Sequence, residues 1–121
     1  MITNEFASAF VTDWIESWNT HNIKKIMAHY ADSVSFTSPF IMELKHDPTG
    51  AISNRNDLEA YFVQALTKFN DLYFELIDIY LSINSIIIQY KSVNNMIAAE
   101  YMELNENGKI VRVTAHYSKR N

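Results

Sequence analysis

The dipeptide Asn107-Gly108, set between two runs of β-branched and apolar residues, constrains this chain more than any other feature. Asn-Gly is the preferred pair of a tight β-hairpin because both residues tolerate positive φ, which matches the twist of the flanking strands. Read as a two-residue turn, it fixes a register by counting outward. Leu104 faces Val111, Met102 faces Val113, Glu100 faces Ala115 and Ala98 faces Tyr117. Side chains alternate along a strand, so these residues share one side of a sheet. The other side carries Glu103 opposite Arg112, Tyr101 opposite Thr114 and Ala99 opposite His116. A cross-strand Glu–Arg pair is favourable, which supports the register.

That register leaves Glu100 as an acid in an apolar row of Ala98, Met102, Val113, Ala115 and Tyr117. Ala115 is small, so there is space above the carboxyl. Desolvation raises a carboxyl pKa and makes it a useful general acid or base near neutral pH. A structural role competes with the catalytic one: Lys91, His116 or a tyrosine hydroxyl can satisfy the acid. The preceding turn decides its neighbours. A two-residue Asn94-Asn95 turn places Gln89 and Lys91 on the Glu100 face, whereas a bulged turn places Ile86, Ile88 and Tyr90 there.

The rest of the chain supplies what packs on that face. Phe6, Phe10, Trp14 and Trp18 recur every four residues, with Ala7, Val11 and Ile15 alongside, the spacing of an amphipathic helix. Asn19-Thr20-His21-Asn22 breaks it, and Asn22 suits the N-cap of a second short helix through Ile23, Ile26, Met27 and Tyr30. Residues 34–38 read as a strand that ends at Pro39, since proline cannot donate to a ladder. From 41 to 55 the pattern dissolves around Pro48 and Gly50, as in a loop that rims a site. Asn56 or Asp57 then caps a third helix with an apolar stripe of Leu58, Tyr61, Phe62, Ala65, Leu66 and Phe69. After Asn70 the texture becomes β-branched and aromatic, giving strands at 72–81, 86–93, 96–104 and 110–117. Helices followed by a strand meander mean an α+β fold, one domain over residues 1–121, with helices on one face of a bent sheet.

Composition excludes several functions. The net charge is −4 with no basic block, against a nucleic-acid partner. There is no cysteine, so disulfides and thiol chemistry are out. No apolar run approaches the roughly 20 residues that span a bilayer, and the first residues lack the basic start and apolar core of a signal peptide. A cytoplasmic, soluble protein with no membrane partner is expected. His21, His29, His46 and His116 show no metal-ligand spacing, so no metal and no cofactor are expected. No serine or threonine sits in a glycine-flanked nucleophile elbow.

The segments Y-A-D-S-V-S-F-T-S-P-F, N-R-N-D-L-E-A-Y-F-V-Q-A-L and N-E-N-G-K-I-V-R-V-T-A-H-Y resemble the nuclear transport factor 2-like superfamily, closest to its SnoaL-like and steroid delta-isomerase branches. The resemblance covers nearly the whole chain. It implies a conical α+β barrel, in which a curved, mainly antiparallel sheet wraps three helices around an apolar pocket. It also implies a homodimer through the outer face of the sheet, here Tyr101, Arg112, Thr114 and His116. In the steroid-isomerase branch, Trp14 stands at the oxyanion-binding tyrosine, Ser38 at the carboxylate base and Glu100 at the proton-donating aspartate. Val113 and Tyr117 match pocket positions. Serine cannot shuttle a proton as a carboxylate does, so steroid isomerisation itself is not expected. The limonene-epoxide-hydrolase set of Asp, Arg and Asp also lacks counterparts.

Two functions are therefore expected. One is an enzyme that moves a proton on, or closes a ring in, a small and mostly apolar substrate. Glu100 is its acid/base, Ser38 a polar positioner, and Trp14, Trp18, Tyr30, Phe36, Phe40, Tyr61, Met102, Val113 and Tyr117 its walls. The other is a non-catalytic ligand-binding or dimerisation module, in which Glu100 is a satisfied structural acid.

Overall fold

The computed structural model describes residues 1–118. Helix α1 (Asn4–Asn19) starts at Thr3, whose side chain accepts from the Phe6 N–H. It buries Phe10, Val11, Trp14 and Trp18 along the stripe that the four-residue spacing predicts. His21 turns the chain with a φ of 55°, and Asn22 caps α2 (Ile23–Met27) by accepting from the Lys25 N–H.

Helix α2 is shorter than its spacing predicts, and Tyr30 opens strand β1 (Tyr30–Thr37) rather than closing the helix. The carbonyls that a further turn would have used are taken by distant side chains. Arg55 donates to the Met27 and Tyr30 carbonyls at 3.0 and 3.3 Å, and Lys109 donates to the Ala28 carbonyl at 2.9 Å.

The stretch expected as a long loop is partly regular. Ser38 caps a short helix α3 (Pro39–Glu43), with proline in the first turn where no N–H is needed. Strand β2 (Ala51–Ile52) follows and pairs with β1. A five-residue helix is too short to show a period, which is why the sequence hides it. The N-cap of α4 (Arg55–Lys68) is Asn54, not Asn56 or Asp57; its side chain accepts from the Asp57 N–H at 2.8 Å. Helix α4 buries Leu58, Tyr61, Phe62 and Ala65.

Four strands complete the chain: β3 (Glu75–Leu81), β4 (Ser85–Lys91), β5 (Ile97–Leu104) and β6 (Ile110–Tyr117). Residues 72–74, expected as the start of a strand, lie outside it. They are held instead by the α1–α2 corner, where the Asn19 side chain donates to the Phe74 carbonyl at 2.9 Å and accepts its N–H at 2.6 Å. His21 Nε2 meets the Leu72 carbonyl at 2.8 Å. The six strands form one curved sheet in the order β2-β1-β6-β5-β4-β3. Only the β1–β6 pair is parallel among these pairings. The helices cover the face that carries Ala98, Met102, Leu104 and Val113, and these residues join one hydrophobic core with Val11, Trp14, Ile26 and Leu58. This is the α+β cone expected from the sequence.

Both turns of the last hairpins differ by one residue from a two-residue loop. Between β5 and β6 the Asn105 N–H donates to the Lys109 carbonyl at 2.9 Å, enclosing three residues, with Gly108 at a φ of 75°. Leu104 therefore faces Ile110 rather than Val111. A bulge at the next step restores the count, so Glu103 faces Arg112, Met102 faces Val113, Glu100 faces Ala115 and Ala98 faces Tyr117 as predicted. Between β4 and β5 the loop Val93–Asn95 also takes three residues, with Asn94 and Asn95 both at positive φ. No bulge corrects that one. Ile86, Ile88 and Tyr90 consequently share the Glu100 face, and Gln89 and Lys91 point away from it.

Candidate functional site

Glu100 sits at the middle of β5, between Ile88 of β4 and Ala115 of β6, and is only 4% exposed. Two residue pairs along the ladder, opposite Ala98, Tyr90 points to the same side, and its hydroxyl donates to Glu100 Oε1. The other carboxyl oxygen, Oε2, is buried without a hydrogen-bond partner. Burial pushes the Glu100 carboxyl up to about 7, against the smaller opposing pull of the Tyr90 hydroxyl. Burial, reinforced by the Glu100 charge, also raises the hydroxyls of Tyr90 and Tyr117 well above the usual phenol range. Tyr30 and Tyr61 move in the same direction, chiefly through burial. At neutral pH the phenols stay protonated while the carboxyl titrates, so the site holds one switchable charge among fixed hydroxyl donors.

The carboxyl opens on a cavity of about 50 Å³, room for several water molecules. Its walls come from every layer of the cone. Trp18 projects from α1, Phe36 from β1, and Tyr61, Phe62 and Ala65 from α4. Phe69, Leu72 and Phe74 close one side through the segment that Asn19 and His21 pin in place. Ser38, Phe40 and Tyr117 close the other; the Phe40 and Tyr117 rings meet edge to face at 4.7 Å. The Ser38 hydroxyl caps α3 by accepting from the Phe40 N–H at 3.3 Å, and it lies beside the Tyr61 and Tyr117 hydroxyls, holding each lower than burial alone would. The Phe74 ring packs, tilted, between those of Trp18 and Tyr90 at 5.6 and 4.5 Å.

Of the residues predicted to form a site, Glu100, Trp18, Phe36, Ser38, Phe40, Tyr61 and Tyr117 line this cavity together. Trp14, Tyr30, Met102 and Val113 lie beneath it in the core, each 3% exposed or less. Trp14 Nε1 donates to the Tyr30 hydroxyl at 3.2 Å there. Phe62, Ala65, Phe69, Leu72, Phe74, Tyr90, Ser92 and Val93 complete the lining and were not predicted as site residues. Tyr90 was legible only through the length of the β4–β5 loop. Phe74 was legible only through the Asn19 clamp, a contact across 55 residues of sequence. The loop expected to rim the site is anchored to α4: His46 Nε2 meets Asp57 at 2.9 Å, its Nδ1 meets Gln64 at 3.1 Å, and its ring packs on Tyr61.

Tyr101 and Thr114 are half-buried, and Arg112 and His116 exposed, on the opposite face of the sheet from Glu100. The same face carries Tyr80 and Ile87, 51% and 38% exposed, in one ladder row with Tyr101 and Thr114. Among the described residues no group of three His, Asp or Glu is placed to hold a metal ion. No helix among them is long and apolar enough to cross a membrane.

The protein family described as SnoaL-like domain matches residues 11–117. A SnoaL-like protein of unknown function from Burkholderia thailandensis is 32% identical, with 98% of each chain covered and a TM-score of 0.92. A structure from Agrobacterium tumefaciens, provisionally described as an isomerase of the SnoaL-like family, is 13% identical over 93% of this chain and 97% of its own, with a TM-score of 0.74. One from Sinorhizobium meliloti, provisionally described as a polyketide cyclase, is 9% identical over 89% and 94%, with a TM-score of 0.73. The last two share the fold alone. No curated protein sequence is detectably similar to this chain.

Proposed function

The chain belongs to the SnoaL-like domain family, and from that premise we propose that it binds a small, mostly apolar molecule in its cone and moves a proton on it. Glu100 is the acid/base. The observation that carries this reading is a carboxyl with one oxygen held by Tyr90, the other unpartnered, and a cavity of aromatic walls in front of it. A group that titrates near 7 can both take and return a proton under ordinary conditions. The step needs no co-reactant: the Glu100 carboxylate takes a proton from one atom of the ligand and returns it to another, as in an isomerisation or the enolisation that precedes ring closure.

A second reading, a ligand-binding module without chemistry, is favoured by one feature. Among the described residues, Glu100 is the sole carboxyl lining the cavity, and neither histidine nor lysine joins it there. Deuterium exchange decides between the two. Small ketones and polyketide-like compounds incubated with the protein in deuterated buffer should exchange their activated C–H positions. The Glu100→Gln variant should lose that exchange by about a hundredfold or more while keeping its fold. Equal exchange by both proteins, or none by the wild type, supports the module instead.

The outer face of the sheet supports a homodimer. Tyr80, Ile87, Tyr101 and Thr114 form an apolar and aromatic row, with Arg112 and His116 exposed beside it.

A further inference from the structure

We propose that the ligand of this cavity is a small alkylammonium ion, whose charge offsets that of Glu100; the inference rests on reading the cavity as a ligand site. Glu100 Oε2 is buried with no hydrogen-bond partner. It belongs to a residue that is 4% exposed and lines the cavity. Buried polar atoms are almost always paired, because an orphan forfeits its hydration without replacement. A carboxylate needs more than a hydrogen bond. Its charge is costly in a site shielded from water unless an opposite charge lies beside it.

The walls supply no such charge. Among the described residues, no Lys, Arg or His lines the cavity. The titratable groups that feel Glu100 are phenols: Tyr30 of β1, Tyr61 of α4, Tyr90 of β4 and Tyr117 of β6. They donate hydrogen bonds and stay neutral. From α1 comes Trp18, which carries no charge. Helix α3 brings Glu43, whose carboxylate helps to raise the Tyr61 hydroxyl and makes the local field more negative still. The counter-charge is therefore left to the occupant.

That requirement separates the ligand classes. An anion is repelled by both carboxylates. A neutral molecule, whether water, alcohol or ketone, leaves the charge of Glu100 uncompensated. An alkylammonium donates an N–H to Oε2 and cancels the charge. Its carbon then meets aromatic walls such as Phe36, Phe62 and Phe74, and aromatic rings attract a cation where aliphatic walls do not. The open space of about 50 Å³ sets the size. It takes about two or three heavy atoms, as in methylammonium or dimethylammonium.

NMR titration of the intact chain with methylammonium, methanol and formate, at constant ionic strength, tests this. The signals to follow are the amides of Glu100 and its ladder neighbours Ile88 and Ala115. At pH 8 methylammonium should saturate them with a millimolar Kd, about the tightest that two heavy atoms allow. It should bind roughly tenfold tighter than methanol or formate, the worth of one charge-assisted hydrogen bond. Binding should weaken about tenfold at pH 6, because the carboxyl takes up its proton around pH 7. Glu100→Gln, checked for its fold by circular dichroism, should lose the preference for the cation. Methanol binding as tightly as methylammonium, or a cation preference that survives in Glu100→Gln, overturns the inference and leaves the ligand site standing. Binding by none of the three also overturns it, and the deuterium exchange of small ketones then decides separately whether the site is catalytic.

Discussion

Glu100 couples the site to the stability of the fold. Its carboxyl titrates near 4.5 in an unfolded chain and about 7 in the folded one. The folded protein therefore binds more protons between those values, and stability falls as pH rises through the window. The contribution is fully present below pH 4.5 and lost above about 7. A shift of this size corresponds to a loss on the order of 3 kcal/mol. Glu100→Gln keeps the size and the acceptor for Tyr90 without the charge. It should remove this component, so that urea denaturation gives a variant less stable than the wild type by little or nothing at pH 5 and more stable at pH 8. Parallel stability profiles for the two proteins would mean that the carboxyl is solvated. The inward placement of Glu100 was legible because the Asn107-Gly108 hairpin orders one face of β5. Its partner was not. Tyr90 rather than Lys91 faces the acid only because Val93–Asn95 takes three residues, and Asn-Asn pairs serve loops of either length.

At the scale of elements, the long amphipathic runs α1 and α4 and the closing hairpin were legible, since each repeats its period over several turns or pairs. The short pieces were not. Helix α3 spans five residues and is set by the Ser38 cap and Pro39 rather than by any period. Helix α2 stops at Met27, and Arg55 and Lys109, remote in sequence, bond the carbonyls at and just beyond its end. The cavity wall at 72–74 depends in the same way on two remote side chains, Asn19 and His21. Asn19→Ala removes both hydrogen bonds to the Phe74 backbone. It should cost about 2–3 kcal/mol in a denaturation experiment, because two backbone groups lose their partners together. A loss under about 0.5 kcal/mol would mean that water replaces the amide and that the wall holds itself.

For the molecule as a whole, one face of the sheet is spent on the helices and the cavity, which leaves the other for a partner. If a second copy covers it, light scattering at micromolar concentration reads the mass of two chains. Tyr101→Glu, at the middle of the exposed row, should then read as one. A wild-type mass of one chain rejects the dimer. The strand order carries a further consequence. β6, the last strand in sequence, lies inside the sheet between β1 and β5. On the ribosome, the stretch through residue 104 has no strand to join its β1–β2 pair to its β3–β5 meander. Assembly must wait until residue 117 has been made, so this domain is a late folder, exposed to chaperones and proteases throughout its own synthesis.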